Sequence, residues 1–359
     1  MLVLAGQREA SSNRITSISG IKALALILIF GWHAGLLKAP DLGARMCELF
    51  FVCSGILEAL NHHGRYAYTL DEALSFFKRK LRSVYPAYIV SFFLASGLGA
   101  LGLMKWTITG NTIAAVMNLL MMQPWFLNLR FSFNGVSWFI ADLMLCYLIT
   151  PMVSCCLMRR ESSANASVLR VYLLPIGALL FIRLLLQIAE FKGVVSINNH
   201  TFPLSRMLEY SMAFVVGSAI RAQGVHSVWP PSSLRGQAID SILEVSSMSL
   251  YIIAIVALDG FWCVRPICVT LSILFVCSFV VSRGVVSKLL SIKPFEVFST
   301  IQLPFYIFHQ LIIIAVLKSF GLLFPNSWTR ALIAFIATFM FSFTWTQLEY
   351  RVQAGIKMG

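Results

Sequence analysis

Ten apolar runs, each near the length that a helix needs to cross a bilayer, occupy most of the sequence. About 20 predominantly apolar residues span the roughly 30 Å of hydrocarbon. Hydrophobic residues make up 58% of the chain and charged residues only 12%. Because a soluble domain carries roughly 25% charged residues, this chain has too few to cover a water-facing surface. The predicted spans lie near 17–37, 46–61, 84–104, 137–157, 168–189, 204–222, 240–259, 264–282, 299–318 and 328–348.

An eleventh apolar segment, 111–126, is either a further span or a re-entrant element. It is shorter than the others, and four residues interrupt it: Asn111, Asn118, Gln123 and Pro124. If this segment does not cross and the N-terminus is cytoplasmic, most of the 28 basic residues lie in cytoplasmic segments, as the positive-inside rule favours. The sequence therefore predicts an all-α, polytopic membrane protein with about ten transmembrane helices plus one short re-entrant or partial helix. We expect both termini in the cytoplasm and a single domain over 1–359, without an appended soluble domain.

The net charge of the chain is +13, which limits the kinds of molecule that we expect it to bind. No separate basic domain is visible, so the charge indicates positive-inside topology and contact with anionic headgroups or phosphates in the lipid bilayer, and we expect no nucleic-acid partner. The eight cysteines lie in or beside apolar runs and none forms a Cys-x-x-Cys pair. We therefore expect the cysteines to be small, buried, apolar residues that form neither a metal site nor a disulfide framework.

Two ionisable residues share one face of the first span. Lys22 and His33 are eleven residues apart, which returns a helix to within about 20° of the same face after a rise of about 16.5 Å. Ionisable groups are costly in lipid, so this pair suggests an aqueous or ligand-filled cavity that reaches His33 as a proton acceptor. The alternative is a snorkelling Lys22 and a hydrogen-bonded packing His33.

Carboxylates inside the predicted spans need partners as well. Glu48 lies just inside the second span. His33 is a candidate partner, because the Glu48 carboxylate would orient its imidazole and stabilise the charged form of the ring. The alternative for Glu48 is an interfacial carboxylate that faces water. Arg183 and Glu209 lie at similar depth in their spans, and we expect them to form a structural pair.

A basic element precedes the third span. Arg79 and Arg82 are three residues apart, so on a helix they share a face. Two guanidinium groups at that spacing suit the oxygens of phosphates. The alternative is a basic loop that only sets the membrane topology.

These three patterns, in this order, resemble membrane-bound acyltransferase family 3, the integral-membrane O-acyltransferases that modify bacterial glycans. Lys22 and His33 match the family's first-span pattern of a basic residue, ten others and a histidine. The second pattern, an acidic residue followed by Leu-Phe-Phe-Val-x-Ser-Gly, is matched by 48–55. The third pattern is Arg-x-x-Arg followed by Tyr-Pro, and it is matched by Arg79, Arg82, Tyr85 and Pro86.

The resemblance continues to the last span. A Trp…Tyr…Pro span is matched by Trp138, Tyr147 and Pro151. A late Tyr-x-x-His element is matched by Pro304, Tyr306, His309 and Gln310, and a closing acidic residue is matched by Glu349. Many members carry Glu five residues after the motif tryptophan, where this chain has Leu143. Asp142, one place earlier, is the candidate substitute. The Ser-Tyr pair usual before the late tyrosine is replaced by Gln302 and Leu303.

The resemblance implies a reaction at the bacterial inner (plasma) membrane. An acyl group, usually acetyl, would move from cytoplasmic acyl-CoA to a hydroxyl of a saccharide, such as a surface polysaccharide, O-antigen, exopolysaccharide or oligosaccharide. The thioester of acetyl-CoA is already activated, so no metal is expected. The rival function is transport or flipping of a lipid-linked glycan, although the sequence has no internal repeat of the kind that many transporters show. A non-catalytic scaffold would leave His33 and Glu48 unexplained.

The resemblance also implies roles for individual residues. Arg79 and Arg82 would bind the CoA phosphates, and Lys22 would meet the pantetheine or thioester region or hold structure. His33 would act as general base on the acceptor hydroxyl or carry the acyl group itself, with Glu48 orienting it. Four residues are candidates for binding the acceptor: Trp138, Tyr147, His309 and Asp142.

Overall fold

The computed structural model describes residues 15–39, 41–62, 69–104, 112–163, 165–224, 234–281, 283–320, 323 and 326–358. Within these ranges the chain is helical and contains no strand. The helices are α1 (Thr16–His33), α2 (Leu42–His62), α3 (Leu70–Ala100), α4 (Thr112–Leu119), α5 (Ser137–Glu161), α6 (Leu174–Phe191), α7 (Pro203–Gln223), α8 (Leu234–Ala257), α9 (Val264–Ser278), α10 (Val285–Leu290), α11 (Lys293–Thr300), α12 (Gln302–Phe320) and α13 (Ser327–Met358). A π-helical turn, Leu169–Leu173, leads into α6.

Each of the ten predicted spans coincides with a helix. Seven described helices are long and apolar enough to cross a membrane, namely α1, α3, α5, α6 with its preceding turn, α8, α12 and α13. Helix α9 is apolar but has only 15 residues. Helices α2 and α7 have 21 residues each and hold buried charged side chains. The predicted all-α, polytopic membrane fold is confirmed.

The eleventh apolar segment forms a short helix that stops well short of a span. Helix α4 has eight residues, which rise about 12 Å. The polar residues that interrupt the segment attach it to α3. The Tyr88 hydroxyl donates to the backbone carbonyl of Asn118 at 2.8 Å, and the Gln123 side chain donates to the Tyr88 hydroxyl at 2.9 Å. Both polar side chains are buried, so the segment is a partial element held by the bundle.

Helices α2 and α7 form the closest pair in the bundle, because glycines remove side chains where they meet. A methyl group at Gly55 would lie 2.5 Å from the backbone carbonyl oxygen of Tyr210, and one at Gly217 would lie 2.8 Å from that of Ile56. Small residues allow this approach between helices in a membrane. The close approach brings the charged residues at the start of each helix within reach of each other.

Candidate active site

His33 is the last residue of α1, and a glycine just after it turns the chain away. Gly35 has a φ of 73°, in the left-handed region that favours glycine after a helix end. The backbone N–H groups of Leu36 and Leu37 both donate to the carbonyl of Gly31, which closes the turn. The imidazole is therefore held at the end of the bundle where α1 and α3 end and where α2, α5 and α7 begin.

A cavity of about 410 Å³ lies at this end of the bundle and includes His33 in its wall. Cavities of about 300–1,000 Å³ commonly hold small ligands. Apolar and aromatic side chains form most of the wall, and a few groups that can form hydrogen bonds, with the carboxylate of Asp41 among them, interrupt them. Its lining includes Trp32, His33, Trp138, His200, Tyr306 and Gln310. We call this space the His33 cavity. The structure thus has a cavity at His33, and Trp138 lies in its wall; that this cavity receives the acceptor stays a prediction.

His309 is the ionisable neighbour of His33. The centroids of the two imidazole rings are 5.0 Å apart. The Nδ1 atom of His309 donates to the backbone carbonyl of Tyr306, so Nε2 carries the free lone pair. That Nε2 atom is buried and has no hydrogen-bond partner among the described residues. The two histidines, predicted from opposite ends of the sequence, therefore meet at one place.

Glu48 does not pair with His33, which corrects the expectation that it orients the imidazole. Its carboxylate is fully buried. One oxygen accepts from Arg45 at 2.6 Å and the other accepts from Arg206 at 3.2 Å. A guanidinium group satisfies a carboxylate more strongly than a neutral imidazole does, since its charge is permanent. Glu48 is thus a member of an ion pair rather than a partner of the histidine.

The Glu48 pairs extend into a chain of five buried charged side chains. Arg206 also lies 2.6 Å from Glu209, and the Arg183 Nε atom donates to Glu209 at 2.9 Å. The predicted Arg183–Glu209 pair is therefore confirmed. We call the whole set, Arg45, Glu48, Arg206, Glu209 and Arg183, the buried ion network. It links α2, α6 and α7 directly behind the His33 cavity.

Asp142 lies one helical turn after Trp138 but does not line the cavity. It is fully buried, and neither carboxylate oxygen has a hydrogen-bond partner among the described residues. An unpaired carboxylate inside a span is costly and asks for a functional or structural reason. The structure places Asp142 near Arg206 and Glu209 of the buried ion network rather than in the cavity wall, and its substitution for the family's glutamate stays a prediction.

The other predicted site residues lie toward the opposite end of the bundle. Arg79 and Arg82 are exposed on α3, and neither forms an ion pair with a described residue. About 18 residues of α3, or roughly 27 Å, separate Arg82 from the helix end near the cavity. Tyr147 is also remote from the cavity, since its ring lies 4.5 Å from the Lys80 ammonium. Lys80 in turn pairs with the buried Glu58 at 2.6 Å.

Lys22 lies between these two ends. It is half-buried on α1, and its ammonium is 5.7 Å from the centroid of the Phe50 ring. Since Phe50 belongs to α2, the Lys22 side chain reaches between α1 and α2. The face predicted to carry Lys22 and His33 therefore points into the bundle rather than to lipid.

Sequence reasoning missed His200, which lies in the connection between α6 and α7. It lines the same cavity as His33, and its ring meets Trp138 edge-on at 4.6 Å. Burial, with a smaller contribution from the charge of Arg206, holds the pKa of His200 well below its usual value. The residue belongs to none of the motifs considered. The one feature of the sequence that could have indicated His200 is its place directly before a predicted span.

Comparisons with known proteins give one family and one distant relative. A family model described as an acyltransferase domain matches residues 15–346. Acyltransferase MdmB from Streptomyces mycarofaciens is 25% identical over 156 residues. That match covers 39% of this chain, and the chain covers 39% of the length of the relative. No solved structure matches the chain.

Proposed function

This chain belongs to the acyltransferase domain family, and from that premise we propose that it moves an acyl group, acetyl in the first instance, from acyl-CoA to a hydroxyl of a saccharide. The family match supports the coarser statement that the chain is a membrane acyltransferase. The observation that carries the finer proposal is the His33 cavity, in which an imidazole shares a wall with aromatic rings and hydrogen-bonding groups.

The walls of the cavity suit a hydroxyl-rich acceptor. Trp32 and Trp138 offer flat apolar surfaces, and Gln310 offers an amide whose oxygen is buried and unpartnered among the described residues. A sugar ring presents both an apolar face and several hydroxyl groups, so it would use both kinds of wall. In the proposed orientation this end of the bundle faces away from the cytoplasm.

The donor would approach from the opposite end. Arg79 and Arg82 are exposed and free of ion pairs with described residues, so they can bind phosphate oxygens. The positive-inside rule places that end of α3 in the cytoplasm, where acyl-CoA is found. The pantetheine arm would then run along the inner face of α1, past Lys22, and bring the thioester to His33.

His33 would act as the general base of the transfer. It would take the proton of the acceptor hydroxyl as the oxygen attacks the thioester carbonyl, so that a C–O bond forms and the C–S bond breaks. The imidazolium would then return the proton to the departing CoA thiolate. His309 would take the orienting role that the sequence gave to Glu48, since its ring is beside His33 and its free Nε2 lone pair can accept a hydrogen bond from the His33 imidazolium.

The proposal is tested with membranes from cells that contain or lack the protein. Membranes are mixed with acetyl-CoA carrying a labelled acetyl group and with a saccharide extract from cells that lack the gene. We expect loss of the thioester that depends on both the protein and the extract, with the label appearing as base-labile ester on the saccharide. A transporter or flippase would move the saccharide without consuming acetyl-CoA, and that result would overturn the proposal.

Replacing Arg79 with alanine is expected to raise the KM for acetyl-CoA about tenfold or more. The reason is that the loss of one charge-assisted hydrogen bond to phosphate weakens binding by about that factor. The maximal rate at saturating donor should change little, since Arg79 is remote from His33. The measurement is the initial rate of thioester loss at graded acetyl-CoA. Arg159→Ala, which removes an exposed charge from the last turn of α5, is the matched control. An unchanged KM would return Arg79 to a purely topological role.

A further inference from the structure

We propose that His200 is an acceptor-binding residue, which hydrogen-bonds one hydroxyl of the saccharide while His33 acts on another. The inference rests on the proposed function and deepens it, because it assigns a residue of the acceptor site that none of the sequence motifs contains. Its basis is the position of the ring in the cavity wall, its unused nitrogen and the rigid frame that holds it.

The ring of His200 is placed for a ligand rather than for packing alone. It lines the His33 cavity and meets Trp138 edge-on, with ring centroids 4.6 Å apart at an angle of 72°. Its Nδ1 atom is buried and has no hydrogen-bond partner among the described residues. Buried polar atoms in proteins are nearly always hydrogen-bonded, so an unused nitrogen on a ring that lines a cavity points to a partner from outside the chain.

The neighbouring residue fixes the backbone of His200. The side chain of Asn199 donates to Glu190 at 2.8 Å and to the carbonyl of Leu186 at 3.1 Å, and it accepts from Ser205 at 2.6 Å. Its backbone carbonyl accepts from Arg206 at 2.8 Å. The loop is therefore tied to α6 and α7 at four points. Such a rigid supporting shell is what a binding residue needs in order to keep its position.

Arg206 connects this loop to the buried ion network. The same guanidinium that holds the Asn199 carbonyl also bridges Glu48 and Glu209. The network thereby sets the position of His200 relative to α2, whose first turns form another wall of the cavity. This gives the costly set of buried charges a role in shaping the acceptor site.

The protonation state of His200 suits a hydroxyl. Burial holds its pKa well below the usual value, so at neutral pH the ring is uncharged. A neutral imidazole offers one donor and one acceptor, and a hydroxyl group offers the same pair. Ligand sites that bind hydroxyl groups this way discriminate strongly, because a buried polar group is left unpaired when the hydroxyl is missing.

The test compares two substitutions at one position in the full chain, reconstituted in nanodiscs. His200→Phe keeps a planar ring against Trp138 and removes both nitrogens, whereas His200→Asn keeps a donor and an acceptor. Labelled acetyl-CoA is the donor, and the acceptor is the saccharide extract from cells that lack the gene, supplied in graded amounts. The half-saturating amount of extract and the KM for acetyl-CoA are measured for each protein.

We expect His200→Phe to raise the half-saturating amount of extract about tenfold with the KM for acetyl-CoA within twofold of the wild type, and His200→Asn to raise it less. An unchanged half-saturating amount in His200→Phe, with wild-type transfer intact, would overturn the role of His200 and leave the proposed function standing. If His200→Phe does not fold, the role of His200 is judged from His200→Asn. In that variant, a rise in the KM for acetyl-CoA equal to the rise in the half-saturating amount of extract would also overturn the role of His200. Failure of the wild type to transfer to the extract would remove the proposed function and this inference together.

Discussion

Replacing His33 with alanine is expected to lower acyl transfer by about 100- to 10,000-fold, the range that a general base contributes. The ring lies in the wall of the His33 cavity together with Trp32 and Trp138, and His309 is its ionisable neighbour. Without it, the acceptor hydroxyl loses the base that the proposal assigns to it. The measurement is the rate of label transfer from acetyl-CoA to saccharide at saturating donor and acceptor.

Folding and chemistry are separated by two controls on the same variant. The amount of His33→Ala protein in the membrane and its thermal unfolding midpoint should match the wild type, because the His33 side chain meets Trp32 and His309 through ring contacts and forms no ion pair or hydrogen bond with a described residue. Free imidazole added to the variant should restore part of the rate, since the truncated side chain leaves room in the cavity. Full activity in His33→Ala without added imidazole would remove the residue from the mechanism.

The spans could be predicted from sequence because hydropathy is a local property of the chain. Each helix must bury or expose its own apolar surface in lipid, so the run of residues alone determines where most of the spans begin and end to within a few positions. Helix α3 instead begins at Leu70 rather than near 84, and α13 ends at Met358 rather than near 348, because charged and polar residues continue each helix beyond its apolar run. The short element near α4 was also readable, since Asn118 and Gln123 cannot face lipid without partners. Their partners depend on packing and could not be predicted: the Asn118 side chain donates to the Ala114 carbonyl and to Ser132, and the Gln123 side chain donates to Tyr88 of α3.

The ion-pair partners of Glu48 could be predicted from the sequence only in part. Arg45 lies three residues before Glu48, and Arg206 lies three residues before Glu209, so both local pairs follow from helical spacing. The link from Arg206 to Glu48 joins residues 158 positions apart and depends on how closely α2 and α7 approach. A motif shows that a carboxylate is present at a position, but the side chain that satisfies it is decided by packing.

The separation of Trp138 and Tyr147, in contrast, could be predicted from helix geometry. They lie on one helix, nine residues apart, and a shared motif suggests a shared site. Nine residues rise about 13.5 Å, which places Trp138 in the cavity wall and Tyr147 beside Lys80. Helix geometry alone would have separated the two residues, and it is the better guide to which of them can contact one ligand.

Replacing Glu48 with alanine is expected to lower the free energy of unfolding by about 3–5 kcal/mol, the usual cost of removing one partner from a buried ion pair. Arg45 is only 2% exposed and would keep no ion pair with another described residue. Arg206 would keep Glu209 but lose its link to α2. The measurement is chemical denaturation of the purified protein in detergent micelles, followed by tryptophan fluorescence.

A paired substitution then decides whether Glu48 holds structure or takes part in the chemistry. Arg45→Met combined with Glu48→Leu removes both charges and fills their space with apolar side chains, an exchange that is often neutral or stabilising for a buried pair. If Glu48 acts through the buried ion network, the double variant should regain most of the lost stability, and acyl transfer should return with it. A double variant that unfolds like the wild type but transfers no acyl group would instead place the Glu48 carboxylate in the reaction, as the sequence first suggested.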